Sequence, residues 1–407
     1  MMQPHCNSAG RWRAAWFAPW IAPLGLLGLA LLPGAARAAP VEFTPHAEVD
    51  VDHTDNLFLT PSDPAQLALT ARPFAADTFT TLIAGLEIRQ DSLGSNAYAR
   101  GEVRRIDFKD FTQLNHDEYE VMLGYTIGSL KANHLSADLG AGRKLVPFIN
   151  LASDNSFALE KQRSARLSGQ VQVGELGRFD ALAERHDLHS PVPGAPDYAV
   201  AEDVASLGFT RGALESLEYG GRVGYLRGHY SGQLNISDYT QWVPQLFFKR
   251  EVKRLLQLNV QLGGVRRTQD GLPTSTGVVG GADLHYQFTG RTSAYVGASR
   301  SVNGYYASAG SQADTNLMGG VSWAVTYRLT LAADYSHVHS QFDVATPAGA
   351  RTDNYQLGSV SLDWQPTRWV TIRAYARKQK RDSTSALYVF DSTGEGISFR
   401  IQRPAKN

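Results

Sequence analysis

Across 407 residues, 39 Lys and Arg balance 39 Asp and Glu for a formal net charge of +0, so no global field favours nucleic acid as a partner. The single cysteine, Cys6, lies in the leader, which leaves the rest of the chain without disulfides or thiolate-bound metals. Glycine (38 residues), Tyr (17), Phe (17) and Trp (7) are abundant, while the lack of long apolar runs excludes helical membrane spans. The mean hydropathy of −0.26 does not exclude a membrane wall, because a chain whose lipid-facing and water-facing residues alternate averages to a polar value.

Residues 1–38 have the form of a secretory signal. Arg11 and Arg13 precede a nearly uncharged run from Ala14 to Leu32, and Ala36-Arg37-Ala38 supplies a small-x-small cleavage site. Pro19, Pro23 and Pro33 interrupt the run and argue against a retained anchor. Sec-type export is therefore expected, with residues 39–407 as one mature domain.

From Val41 onward the chain repeats one pattern. Val41, Phe43, Ala47, Val49 and Val51 alternate with Glu42, Glu48, Asp50 and Asp52, a strand with one apolar and one acidic face. A polar loop leads to Leu82, Ala84, Leu86 and Ile88. A short turn then gives Ala97, Ala99, Gly101 and Val103, with Tyr98, Arg100, Glu102 and Arg104 opposite. The alternation returns near residues 119–127, 135–141, 165–173, 179–183, 205–209, 217–225, 242–248 and 256–262. Pro244 sits awkwardly within one of these and predicts a bulge or an interruption there. Residues 278–300 form the clearest hairpin: Val278, Ala282, Leu284, Tyr286 and Phe288 on one face, a turn at Thr289 to Thr292, then Ala294, Val296 and Ala298. Further strands are read at 317–325, 329–335, 358–364, 370–376 and 397–401.

About 18 strands result, an even number within the range of single-chain outer-membrane barrels. The predicted fold is an all-β, antiparallel up-and-down transmembrane barrel. Turns after even-numbered strands are short, whereas loops after odd-numbered strands are long and hold most of the prolines. That asymmetry assigns the turns and both termini to the periplasm and the loops to the exterior. Tyr286, Phe288, Trp323, Trp364, Trp369, Phe179 and Trp242 lie at the ends of apolar faces, as suits a lipid headgroup boundary. A soluble propeller would repeat a four-stranded blade, and no such repeat is present.

If the apolar faces meet lipid, the intervening residues line the lumen. The candidates are Arg100, Glu102, Arg104, Glu120, Arg222, Asp283, His285, Asp334, Arg373, Tyr375 and Arg377. Amides at Gln170, Gln172, Gln257, Asn259 and Gln261 add a surface able to exchange hydrogen bonds with a hydrated solute. The competing reading is that these charges pair along the wall. No catalytic or nucleotide-binding motif occurs, and no cofactor is indicated. His337 and His339 share a strand face without a third metal ligand, and Asp50, Asp52 and Asp55 lack a calcium-loop spacing. The expectation is a non-enzymatic pore, and a barrel lipase or protease would need a Ser/His/acid set at one rim.

Four segments carry a resemblance: HTDNLFLTPSD at 53–63, ADTFTTLIAGLEI at 76–88, YARGEVRRIDF at 98–108 and QPTRWVTIRAYARKQKR at 365–381. They resemble the outer-membrane β-barrels encoded with exosortase-type exopolysaccharide systems, the EpsL-like barrels. The likeness runs over the whole mature chain through loose motifs, of which Asp-Asn-Leu-Phe at 55–58 is the sharpest. It implies a role in exopolysaccharide biosynthesis and export as an outer-membrane conduit. Its implied partners are the polymer and periplasmic polysaccharide-export and chain-length proteins, while the barrel reading adds the barrel-assembly machinery and outer-membrane lipid. It transfers no site residues. A general or substrate-specific porin for small solutes is the alternative reading.

Overall fold

The computed structural model describes residues 40–70, 72–129, 133–146, 159–190, 198–213, 217–232, 237–252, 255–304, 310–344 and 351–403. The expected signal segment, the Ser190–Tyr198 prolines and most of the 143–162 loop lie outside the described residues.

Eighteen antiparallel strands form one sheet. They are β1 (Val41–Thr54), β2 (Asp77–Ser92), β3 (Ser95–Phe108), β4 (His116–Gly128), β5 (His134–Leu145), β6 (Leu159–Val173), β7 (Gly177–Ser190), β8 (Tyr198–Ala213) and β9 (Leu217–Gly232). The second half comprises β10 (Tyr239–Val252), β11 (Leu256–Gln269), β12 (Ser275–Thr289), β13 (Thr292–Gly304), β14 (Gly310–Ala324), β15 (Leu329–Val344), β16 (Arg351–Thr367), β17 (Val370–Ser383) and β18 (Phe390–Gln402). Each pairs with its sequence neighbours, and β1 pairs with both β2 and β18, so the sheet closes on itself. Closure removes the unpaired edges that a lipid environment cannot satisfy.

The two faces are chemically opposite. Directly paired residues share a face, so register carries each side around the wall: Phe43 meets Ile88, Val49 meets Leu82 and Phe399, and Leu284 meets Leu258 and Val296. These outward residues are exposed, Leu207 and Leu246 by 70% and 71%. A water-soluble domain would not leave such a belt bare. The buried apolar residues are few and cluster near the loop ends of strands, around Phe58 and Phe108 and around Val200 and Tyr239. This inside-out distribution is the one a bilayer requires of a spanning barrel.

Local chemistry explains the departures from the expected pattern. Strands extend farther on the loop side than alternation indicates: β8 begins at Tyr198, whereas its apolar face begins near Ala205. Beyond the hydrocarbon both faces are wet, and apolar periodicity ends while the ladder continues. Pro244 introduces no bulge. The register is the same on either side of it, Trp242 with Arg266 and Gln245 with Gly263, while pairing to β11 is skipped only at Val243 and Pro244. Proline's missing N–H costs one rung there, and pairing with Val223 of β9 persists on the other side. Register shifts occur beside two turns, between Gln287 and Thr289 and between Trp364 and Thr367. The first tightens the expected four-residue reversal so that Thr289 pairs with Thr292.

Candidate functional site

The inner wall holds all eleven lumen candidates, because each pairs in register with residues opposite the apolar face. Arg100 donates to Glu120 at 3.0 Å, and Arg104 meets Glu102 at 2.6 Å and Glu118 at 3.7 Å. Arg222 reaches Asp180 at 3.0 Å, and Arg373 grips Asp363 through two bonds of 2.5 and 2.9 Å. Asp283 accepts from Asn259 at 2.6 Å, while His285 stacks on Tyr295 with ring centroids 5.5 Å apart. Asp334 accepts from Tyr295 at 2.8 Å, Tyr375 donates to Asp52, and Arg377 lies over Gly394. The candidates form local pairs spread around the wall and do not converge on one centre.

Six inner-wall contacts, three of them just named, follow one rule that reading along the chain does not reveal. A donor on one strand bonds, across a glycine on the next, a carboxylate on the third. The sets are His46–Gly85–Glu102, Tyr98–Gly124–Asp138, Arg222–Gly208–Asp180, Tyr239–Gly228–Glu202, Tyr295–Gly320–Asp334 and Tyr375–Gly396–Asp52. Register places every glycine directly between its two partners. At these glycines a Cβ would overlap the crossing side chain or its acceptor; at Gly396 it would stand 2.7 Å from Tyr375 Cζ. The absent side chain lets a ring, or at Gly208 the Asp180 carboxylate, lie against the wall, which keeps the lumen free of it. In sequence the only signal is a glycine at an inward position, and its partners are remote in the chain.

At the mouth, the loop from Asp55 to Ala76 folds inward. Leu57 and Phe58 pack on Ile106, Phe108 and Leu114, with Phe79 and Phe111 beside them. Asn56 is fully buried and pins the loop. Its amide nitrogen donates to the carbonyls of Thr60 at 2.8 Å and Asp391 at 3.0 Å, and its oxygen accepts from the Thr60 amide at 3.1 Å. Asp55 adds a bond from the Thr393 amide at 2.7 Å, tying the loop to β18. Asp77, also buried, accepts from the amides of Asp110 and Phe111 and holds the neighbouring loop. The Asp-Asn-Leu-Phe segment is thus a structural latch. Asp52 and Asp55 are engaged separately, by Tyr375 and by the Thr393 amide.

A cavity of about 550 Å³ runs along β3–β8, bordered by Arg104, Glu118, Glu120, His186 and Glu202. A chain of contacts crosses its upper end: His46 to Glu102, Glu102 to Arg104, Arg104 to Glu118, and Glu118 to His116 at 3.3 Å. Beside it in the wall, Arg267 stacks on Tyr239, its guanidinium carbon 3.5 Å from the ring centroid. At the rim between β15 and β17, Asp353 sits between Arg351 at 3.2 Å and Arg381 at 3.5 Å. His337 and His339 face outward near the loop end of β15, where His339 bonds Asn354 at 2.8 Å. His186 meets Glu184 at 2.9 Å on the inside. Among the described residues no cluster of His, Cys, Asp or Glu is arranged to hold a metal.

No protein-family description matches the chain, and no curated protein matches it in sequence. Solved structures do. OpdK of Pseudomonas aeruginosa, determined with vanillate, superposes with a TM-score of 0.50 at 12% identity, covering 89% of this chain and 99% of that one. The FrpB iron transporter of Neisseria meningitidis gives a TM-score of 0.50 at 9% identity, covering 87% of this chain and 63% of the transporter. The chain spans under two thirds of FrpB and the full length of OpdK. At such identities the likeness establishes the fold, that of outer-membrane barrels.

Proposed function

We propose that the chain is a water-filled outer-membrane channel for small hydrated solutes. The observation that carries this reading is the closed 18-stranded wall, apolar outside and lined inside by charged and amide side chains. Barrels of 16–18 strands leave an aqueous passage. The crossing of donors over glycines supports the reading, because side chains laid flat leave that passage open. OpdK, a neighbour of matching length determined with vanillate, supports a small cargo, and the FrpB iron transporter is a second neighbour whose function is transport.

Charge on the inner face sets the preference. Carboxylates outnumber Arg and Lys there, and β12–β15 carry Asp283, Asp314 and Asp334 with no inward Lys or Arg among the described residues. Fixed negative charge in a narrow aqueous path concentrates cations. In planar bilayers the wild type is expected to pass cations in excess, read from the reversal potential under a salt gradient. Replacing Arg373 and Arg377 by Glu is expected to shift that potential further toward cations. An unchanged potential would mean that these side chains lie outside the conducting path, and a lack of discrete conductance steps would remove the channel itself.

A second reading is passage of a secreted polysaccharide, with periplasmic export and chain-length proteins as partners. The resemblance at residues 53–63 and 98–108 motivates it. The inward amides Gln257, Asn259 and Gln261 on β11 support it, since each can trade water for a sugar hydroxyl. Deleting the gene separates the two readings: lost polymer secretion with normal solute uptake favours the polysaccharide, and the reverse favours the small solute.

A further inference from the structure

The outer wall carries a feature that neither cargo explains. On six successive upward strands, an arginine faces outward just above the apolar belt: Arg105 on β3, Arg143 on β5, Arg185 on β7, Arg227 on β9, Arg266 on β11 and Arg300 on β13. Each directly follows the apolar outward row, as Val103 precedes Arg105, Ala183 precedes Arg185 and Ala298 precedes Arg300. Each stands eight to ten residues from the periplasmic end of its strand. At about 3.3 Å per residue and the usual strand tilt, that is roughly 20–25 Å up the wall. The arginines therefore form a level arc at the outer edge of an apolar band of about 25 Å, where outer-leaflet headgroups begin.

The arc is only partly ion-paired, and the Asp238 carboxylate acts on Arg227 from beyond salt-bridge distance. Arg105 is bound by Asp107 and Asp117, and Arg185 by Asp187 and Asp203. Among the described residues, no carboxylate lies at salt-bridge distance from Arg227, Arg266 or Arg300. Arg300 donates to the Thr315 hydroxyl, at 3.0 Å. Below these three the wall is strongly apolar, with Leu246 and Leu262 exposed and Trp242 packed on Tyr225. Guanidinium forks match phosphate geometry, and a row of them above an acyl-binding surface matches a lipid with several chains and more than one phosphate.

We infer that Arg227, Arg266 and Arg300, over the apolar face of β9–β13, bind a bis-phosphorylated, multiply acylated glycolipid of the outer leaflet. The inference rests on reading the chain as an outer-membrane barrel and is independent of what passes through it. The test is native mass spectrometry of the full folded protein in detergent, titrated with bis-phosphorylated lipid A, with the same lipid stripped of phosphate, and with phosphatidylglycerol. Wild type is expected to retain lipid A and release the dephosphorylated form, and R227Q/R266Q/R300Q to weaken lipid A retention tenfold or more. R291Q/R328Q/R368Q, placed at periplasmic turns, is expected to retain it as wild type does. Equal retention by the outer-arc triple variant overturns the inference, as does equal binding of dephosphorylated lipid or of phosphatidylglycerol. Single-channel conductance of both variants, expected to equal that of wild type, shows that each is folded and keeps this outcome separate from the channel reading.

Discussion

Replacing Gly320 by Ala tests whether inner side chains are held flat by the glycine beneath them. The new methyl would stand 2.6 Å from Tyr295 Cε1 and 3.0 Å from the backbone oxygen of Ala333, while Asp334 crowds it from the side. Keeping the ring in place means overpacking, about 1–3 kcal/mol. Releasing it means losing the Tyr295–Asp334 hydrogen bond, which at this water-accessible site is worth about 1 kcal/mol. Release is the cheaper course, so the ring swings off the wall into the lumen. Two readouts are expected: a loss of about 1 kcal/mol in urea unfolding from lipid vesicles, and a smaller single-channel conductance. Tyr295→Phe separates them, since it removes the bond and leaves the ring over Gly320. It is expected to lose similar stability with conductance unchanged. Gly320→Ala combined with Tyr295→Ala is expected to restore the conductance. If Gly320→Ala conducts as wild type does, the glycine has no part in keeping the passage clear.

The mouth loop gives a second prediction. Asn56→Ala strips the amide that satisfies the Thr60 amide and the Asp391 carbonyl in a fully buried position, at a cost of about 1–3 kcal/mol for each group left unsatisfied. Faster proteolytic nicking between residues 59 and 72 is expected, with noisier open-channel current, and wild-type protease resistance would refute the latch. A third concerns acid. Asp238, in the loop before β10, is held below the usual carboxylate range by hydrogen bonding to His229, at 2.7 Å, with the amide of Tyr230 adding to it. A lowered carboxylate stabilises fully above its unfolded pKa, and that contribution is lost as pH falls through the lowered value. Hydrogen exchange at the Tyr230 amide is thus expected to show excess acceleration only on the acid side, and Asp238→Asn to abolish that limb; an identical pH profile in the variant would count against it.

Much of the wall was legible in the chain because one physical constraint, lipid outside and water inside, writes itself into every second residue. The hairpin at 278–300 shows this well: Leu284 and Tyr286 face out, and Asp283, His285 and Tyr295 face in. Where the constraint lapses, legibility lapses too. The wet upper ends of the strands carry no alternation, so the start of β8 at Tyr198 was invisible. Pro244 looked like a break because local rules do not reveal that one lost rung between β10 and β11 is tolerated within an otherwise intact ladder. The donor–glycine–carboxylate crossings join residues up to 323 positions apart, as Tyr375 and Asp52 do, and depend on a register that no single strand encodes. Asp-Asn-Leu-Phe stood out as a motif without a task; its task is visible only with the Asp391 carbonyl of β18 in place.

That last contact has a consequence for time. Asn56 lies just beyond the first strand, yet the carbonyl it needs belongs to the last strand made, and Asp55 likewise waits for Thr393. A wall with β1–β17 paired lacks two of the groups that fix the mouth loop, the Asp391 carbonyl and the Thr393 amide. The loop is tied to the last strand only when β18 meets β1, so those two bonds report that the cylinder has been completed, and an unfinished wall is left with a looser entrance.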